Sequence, residues 1–391
     1  MIEVQFGELL SEVLLQIKAK TKRTLAALQD ELGYAVGRES GGNYIEYLRK
    51  GHIPSEVDEL ERLVYALLKL DRQRETLNQT ICGRLLKLGG HPQPDVCSHE
   101  WFGEADEQAL GGLLTEMKPF VVGPPIKHPR QFFGRNRELR RIFSSLRRSP
   151  LEHYAILGKR RSGKSSLLHY LRTITTTLPS ELRVGQKQDW LVTPAAFRWV
   201  YINFEDATLL RLDGLIRHIL TGLRIPVPAE CSLHQLITLL KEEDWRRPGI
   251  ILMDELSAGL AAPELDKYFW QSLRALVSAD MENRIAFIVA THDNSFQLAN
   301  EHGMTSPFFN IFNTIKLGPL NEEESLELIG SSSIPFSAAD SSWIYQASQG
   351  WPVMLQILCA ERLFALENGE TGDSWRREAQ SKLAPYRYLF D

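Results

Sequence analysis

The stretch Tyr154-Ala-Ile-Leu-Gly-Lys-Arg-Arg-Ser-Gly-Lys-Ser-Ser-Leu-Leu168 decides the fold. Between Gly158 and Ser165 it fits G-x-x-x-x-G-K-[ST], the phosphate-binding P-loop. The apolar run Tyr154–Leu157 predicts a buried strand feeding the loop, and Ser165 onward predicts the helix that leaves it. Gly158 and Gly163 let the backbone turn so that successive N–H groups point inward, and the helix N-terminus adds its positive end. Gly158, Lys159, Arg160, Arg161, Ser162, Gly163, Lys164, Ser165 and Ser166 are therefore the candidate nucleotide-binding residues. Lys164 is placed to reach the β- and γ-phosphates, and Ser165 to offer its hydroxyl to Mg²⁺. A chance glycine-rich turn is the alternative, and the strand and helix patterns on either side weigh against it. The loop predicts binding of a nucleoside triphosphate.

Downstream, Phe197-Arg-Trp-Val-Tyr-Ile-Asn-Phe-Glu205 reads as a strand, and Leu209–Leu223 and Leu233–Leu240 as helices. Gly249-Ile-Ile-Leu-Met-Asp-Glu-Leu256 is an apolar strand ending in two acids, the Walker B pattern. A parallel strand covered on both faces must be continuously apolar, and ligand-facing residues sit at its carboxyl end. Asp254 is the expected Mg²⁺ partner. Helix Phe269–Val277 and a further apolar strand, Arg284–His292, follow. That strand ends in a polar pair, Thr291 and His292. Asn313–Leu320 predicts the last strand, and helices follow from Asn321.

Composition bounds the rest. A chain of 391 residues with 43% hydrophobic content and a net charge of −4 is an ordinary globular protein of two or three domains, without a general polyanion-binding surface. The cysteines at 82, 97, 231 and 359 are sparse, which predicts a reducing compartment. Cys82, His91, Cys97 and His99 match no zinc spacing. No signal peptide and no membrane-length apolar run is present, so a cytoplasmic protein with no membrane partner is expected.

Upstream of the P-loop, Phe6–Lys20, Thr24–Gly33, Asn43–Gly51 and Glu56–Leu70 carry helical patterns, with Thr24 as N-cap and Gly33 as a stop. This order resembles the Cro/repressor-type helix-turn-helix, although the Gly33–Gly51 segment is longer than in that family. The resemblance implies that Asn43–Lys50 is a recognition helix, with Asn43, Tyr44, Tyr47, Arg49 and Lys50 facing duplex DNA. Residues 1–90 hold 13 Lys and Arg against 13 Asp and Glu, so a small protein-docking domain is the competing reading. Residues 89–130 are proline-rich and read as a connector, with a helix-like stretch near Glu107–Met117.

Phe132-Phe-Gly-Arg-Asn-Arg-Glu-Leu139, a short helix ahead of the P-loop, resembles the opening of STAND-class ATPases and of the related archaeal and origin-recognition ATPases of the AAA+ assemblage. That resemblance spans roughly residues 119–366. It implies that Arg135 lies near the nucleotide, and that Pro352 in Gly350-Trp-Pro packs by the adenine. It also implies that Glu255 polarises the attacking water, as in additional-strand P-loop ATPases. The bland readings are a surface arginine at a helix start, and a proline placed where its missing N–H does no harm.

The expected fold is α/β: a three-layer P-loop NTPase with a parallel sheet of the additional-strand type. A C-terminal helical lid and an N-terminal all-α helix-turn-helix-like domain complete it. The expected division is 1–88 helical, 89–130 connector, 131–320 ATPase core and 321–391 lid. The expected function is an ATP-binding and ATP-hydrolysing switch using Mg²⁺. It self-associates and acts on a protein partner or effector on another chain, or on DNA, in transcription control or antiphage defence. By the same resemblance catalysis would rest on Glu255 and Lys164, with a sensor at the end of the 284–292 strand, Thr291 the first choice and His292 the second, against a simple strand-end polar pair. Two other classes stay open: a DNA-loading or transposition-type ATPase, and a non-hydrolysing nucleotide-bound adaptor. An arginine finger is not assigned among Arg160, Arg161, Arg274 and Arg284.

Overall fold

In the computed structural model, strands β1 (His153–Leu157), β2 (Arg198–Asn203), β3 (Gly249–Asp254), β4 (Ile285–Thr291) and β5 (Phe312–Lys316) form one sheet in the order β2-β3-β4-β1-β5. Every pairing is parallel. β4 lies between β1 and β3, the additional-strand arrangement expected from the sequence. β3 and β4 are buried at every residue, which is why they read as unbroken apolar runs. The structure describes residues 2–21, 23–38, 41–71, 76–92, 94, 97, 118–177, 181–191, 197–245, 247–277, 284–292 and 311–390. The expected helix near Glu107–Met117 and His99 lie outside them.

Alternate strand residues divide between the two faces of the sheet. Val200, Ile202, Ile251, Met253, Phe287 and Val289 enter a core shared with α8 (Leu212–Gly222), α9 (Leu233–Glu242), α10 (Leu256–Ala261) and α11 (Lys267–Ala275). Tyr201, one residue out of that register, meets His169 of α7 (Lys164–Thr173), with ring centroids 4.5 Å apart. The P-loop helix therefore covers the opposite face, giving three layers. α6 (Asn136–Leu146) precedes β1.

Two strand ends and one helix end differ from the sequence reading. The strand expected over 249–256 ends at Asp254, because Glu255 takes a left-handed backbone (φ 49°) and caps α10. The last strand ends at Lys316 rather than Leu320. Gly33 does not end the second helix, which runs on to Ala35.

The chain divides into two compact units: Met1–Lys118 with Thr176–Gln188 and Val192–Ala195, and Pro119–Thr175 with Asp189–Leu191 and Ala196–Asp391. The first contains α1 (Ile2–Thr21), α2 (Leu25–Ala35), α3 (Gly41–Arg49), α4 (Val57–Leu70) and α5 (Gln79–Leu88). Phe6, Leu10, Leu14 and Ile17 of α1 pack with Leu28 and Leu32 of α2, Ile45 and Leu48 of α3, and Leu63 and Leu67 of α4. Thr24 caps α2 by accepting from Ala27 N–H at 3.2 Å. Gly33 and Gly41 let α2 and α3 touch backbone to backbone, since a Cβ at Gly33 would lie 1.9 Å from Gly41 Cα. α3 thus begins at Gly41, two residues before the expected Asn43.

In the second unit, α12 (Glu322–Ile329), α13 (Ala338–Ser348), α14 (Pro352–Glu367) and α15 (Trp375–Leu383) form the helical lid, followed by a 3₁₀ segment, Ala384–Leu389. Asn321 and Glu324 close a capping box at the start of α12. Asp340, 3% exposed, is gripped by Arg362 at 2.9 Å and Arg376 at 3.0 Å. Residues 119–130 of the expected connector are held on this unit: Val121 N–H donates to Gln356 Oε1 at 2.8 Å, and Ile126 N–H to Ser166 Oγ at 3.0 Å. No helix among the described residues is long and apolar enough to cross a membrane.

Candidate functional site

Parallel register brings the chemistry to one edge. Leu157, which ends β1, pairs with Thr291, which ends β4, while Asp254 ends β3 beside it. The P-loop, both acids and the polar pair of β4 therefore leave the sheet from the same side.

Gly163 stands at φ 93° as the N-cap of α7, and a Cβ there would meet nothing within 4 Å, so backbone freedom and not crowding requires the glycine. At Gly158 the need is space: a Cβ would lie 2.7 Å from Ser162 Oγ. Lys164 folds back over the loop and donates to the carbonyls of Gly158 at 2.7 Å and Lys159 at 3.1 Å. Ser162 is fully buried, and its Oγ has no hydrogen-bond partner among the described residues. A polar loop with an orphaned buried hydroxyl and a lysine parked on its own carbonyls fits a phosphate chain, which would draw Lys164 Nζ outward.

Arg135 is 5% exposed, at φ 61°. Its Nη2 donates to Ser162 O at 3.0 Å and to Gly318 O at 2.6 Å. The side chain therefore braces the P-loop against the loop that follows β5, touching backbone. Burial pulls its guanidinium below the ordinary arginine range, while the charges of Glu138 and Glu324 pull the other way. The same Glu324 accepts from Asn136 N–H at 3.3 Å, linking the first lid helix to the Gly134-Arg135 turn. Pro352 stands at the first turn of α14. Beside it, Gly350 O accepts from Leu320 N–H at 2.8 Å, so the Gly350-Trp-Pro turn is joined to the loop that Arg135 holds.

Arg161, left-handed at φ 67°, reaches Gly123 O in the connector. Lys159 Nζ donates to Tyr388 O at 3.2 Å and Leu389 O at 3.4 Å, and Tyr388 OH to Arg160 O at 3.3 Å. The 3₁₀ segment at the end of the lid thus rests on the first residues of the P-loop.

Asp254 is 2% exposed. Its Oδ2 accepts from Tyr201 OH at 2.9 Å, and its Oδ1 from Glu255 N–H at 3.0 Å. Burial, with the Asp254 charge beside it, raises the Tyr201 hydroxyl above the usual phenol range, so it stays a proton donor. His169 is pulled down to about 4, first by burial and then by the charge of Lys127, and its neutral ring packs tilted against Tyr201. Ser165 and Asp254 together offer oxygen donors, the hard set that suits Mg²⁺.

Glu255 Oε2 lies 3.7 Å from His292 Nε2. Thr291 is 1% exposed, and its Oγ1 is 3.0 Å from Ser257 Oγ. Of the two sensor candidates, the structure sets His292 beside Glu255 and turns Thr291 into the protein. Sequence reasoning missed Tyr201, Ser257, His169 and Tyr388. Only Tyr201 had a signal, as the aromatic whose alternation in β2 points away from the Val200 and Ile202 face.

Asn43 and Tyr47 on α3 and Lys50 just past its end are exposed, and Tyr47 stacks on His52 at 3.7 Å. Tyr44 is half-buried under the Arg38 guanidinium, 4.6 Å from its ring. Arg49 is turned inward: Nε donates to Ser11 Oγ at 3.2 Å and Nη1 to Glu46 Oε2 at 2.8 Å. The five candidate DNA-facing residues therefore do not form one outward surface.

No family model matches the chain, and no curated protein sequence matches it. Solved structures do. The chain is similar to the ORC2 protein of Aeropyrum pernix in its ADPNP–ADP complexes, at 15% identity and TM-score 0.47 over 67% of this chain and 69% of that one. It is similar to a Walker-type ATPase of Pyrococcus abyssi, at 17% identity and TM-score 0.46 over 68% and 76%. Cdc6p from Pyrobaculum aerophilum is similar at 19% identity and TM-score 0.44 over 64% and 68%.

Proposed function

We propose that the chain is an Mg²⁺-dependent ATPase whose nucleotide state sets the packing of its helical lid on the P-loop core, and thereby its self-association or its hold on a partner. The observation that carries this reading is the placement of Arg135, with Ser162 of the P-loop on one side of its guanidinium and Gly318 on the other. Gly318 leads into Leu320, which is bonded to Gly350 at the lid turn. A phosphate that reshapes the P-loop carbonyls therefore acts on the same arginine that anchors the approach to the lid. Contacts made in only one nucleotide state are what bias a two-state element.

In this reading Gly158–Ser166 cradle the phosphates and Lys164 leaves the Gly158 carbonyl to pair with them. Ser165 and Asp254 would hold Mg²⁺, which supplies charge neutralisation on the phosphates when bound. Tyr201 fixes the Asp254 carboxylate. Glu255 orients and deprotonates the attacking water, and His292 positions Glu255. A non-hydrolysing adaptor has no use for a carboxylate held at that place beside a histidine.

The test is ATP turnover of the full chain, with and without duplex DNA, alongside particle mass by light scattering in ADP and in ATP. Glu255→Gln should keep ATP affinity while turnover falls by about 10²-fold or more, the range of general-base contributions. Turnover at the wild-type rate in this variant would remove Glu255 from catalysis. A mass and partner affinity indifferent to nucleotide would leave an ATPase that is not a switch.

A further inference from the structure

Within the first unit, Glu61, His91 and Cys97 bring one ligand atom each to a common point, all within 4.8 Å of one another. Spacing alone hides this set, because one donor comes from α4, 30 residues before the histidine. Glu61 is held on the inner face of α4, flanked by the buried Leu60 and Leu63. His91 is fixed by the end of α5, where its N–H donates to Leu86 O at 2.9 Å. Cys97 packs against the core of the same unit. The side chains of His91 and Glu61 are 6% and 10% exposed, and His91 Nε2 lies 2.7 Å from Glu61 Oε1.

We propose that these three side chains bind a divalent transition cation of the zinc class, which pins α4, the end of α5 and the following segment together. The donor chemistry sets the class. One thiolate, one imidazole and one carboxylate are ligands for Zn²⁺, and the sulfur disfavours Mg²⁺ and Ca²⁺. Charge supports it as well. A carboxylate and a thiolate neutralise a dication, so the metal removes the penalty of a buried carboxylate instead of adding to it. The cation also sits past the C-terminus of α5, where the helix dipole favours positive charge. Binding breaks the Cys97 S–H bond and the N–H or O–H bond of the hydrogen between His91 Nε2 and Glu61 Oε1, and those protons leave to solvent as the metal enters. Three protein ligands leave the fourth tetrahedral position to water.

The full chain, stripped with a chelator and kept in a non-chelating reductant, is titrated with Co²⁺ and then Zn²⁺. A single equivalent of Co²⁺ should give a thiolate-to-metal charge-transfer band and intense visible bands, both abolished by Zn²⁺. An Mg²⁺ site on oxygen donors gives neither, so the P-loop does not interfere. Cys97→Ser should lose the charge-transfer band, Cys231→Ser should keep it, and Glu61→Gln should weaken Co²⁺ binding by about tenfold or more, as loss of a metal partner does. Cys97 is partly buried at the edge of the core and serine is close to it in size, so a far-ultraviolet circular dichroism spectrum like that of the parent chain is the expected check that the variant folds. Absence of the band, with no Zn²⁺ retained after dialysis, overturns the proposal and leaves Glu61–His91 as a hydrogen-bonded contact between α4 and the turn after α5. A band that survives Cys97→Ser overturns it too, by placing the metal elsewhere.

Discussion

Replacing Arg135 should weaken both the fold of the second unit and its hold on ATP. Arg135 Nη2 makes two hydrogen bonds, at 3.0 Å to Ser162 O and 2.6 Å to Gly318 O, from a side chain that is 5% exposed. Hydrogen bonds from a charged donor contribute roughly 1.5–3 kcal/mol each, so Arg135→Ala removes about 3–6 kcal/mol before relaxation. Taking the lower end, and roughly 2–4 °C per kcal/mol for a domain of this size, the second unit should melt about 6–12 °C earlier. Arg135→Lys keeps the charge but replaces a planar fork with a point charge, so it should recover only part of the loss. Because Ser162 O belongs to the P-loop, ATP affinity should also fall by about tenfold, some 1.4 kcal/mol. The assay is thermal unfolding and titration with a fluorescent ATP analogue on the same preparations. Unchanged melting and affinity would refute the bracing role. Lower melting with unchanged affinity would refute the coupling, leaving Arg135 as a buried structural arginine.

Three further outcomes follow from single residues. Glu255→Gly should abolish turnover yet raise the melting temperature, because a non-glycine residue at φ 49° costs roughly 1–2 kcal/mol that glycine does not; a lower melting temperature would show that the His292 contact outweighs the strain. His153 Nδ1 accepts from Phe287 N–H at 3.0 Å, and burial pulls this imidazole down to about 4 from 6.5. The unfolded chain takes up the proton first as pH falls, so this stabilisation is whole above pH 6.5 and lost between 6.5 and 4, about 3 kcal/mol in all. NMR of ring-labelled histidine, assigned with His153→Asn, should show no titration above pH 5, and a midpoint near 6.5 would contradict the burial argument. For DNA, Lys50→Ala should reduce the slope of log affinity against log salt by about one, and a full chain that shifts no duplex at low salt would favour protein docking.

The P-loop core is legible because parallel strands buried on both faces must be apolar from end to end. β3 and β4 are buried at every residue and apolar up to their last, Asp254 and Thr291, and the place of β4 between β1 and β3 matches the fold type that the resemblance implied. The helical boundaries are less legible, since tertiary contact overrides local signals. Gly33 has the composition of a stop but serves as the flat spot where α3 crosses α2. Glu255 reads as the end of a strand but turns left-handed to start a helix. Pairings between distant segments are less legible still: the alternation of β2 shows which face Tyr201 takes, but not that its hydroxyl will meet Asp254, 53 residues later.

The recognition-helix resemblance depends on which atoms are free. A helix that reads a major groove presents its long polar side chains outward. Arg49 instead spends its guanidinium on Ser11 and Glu46, and the nearest Lys50–Glu46 approach is 3.9 Å. Glu46 also accepts from Gln29 at 2.9 Å, which ties α3 to α2 and holds a carboxylate on the face in question. Any duplex contact through α3 therefore falls on Asn43, Tyr47 and Lys50, a weaker electrostatic footprint than five cooperating residues. The second unit shows the opposite economy. Among the described non-glycine residues with left-handed backbone, Arg135, Arg161 and Glu255 stand in or beside the P-loop edge and Gln349 at the turn before Pro352; Arg224 alone lies elsewhere. Left-handed non-glycine backbone at these places, and not along the regular strands, is local strain that the surrounding contacts hold in place, and it accompanies the residues on which the proposed ATPase rests.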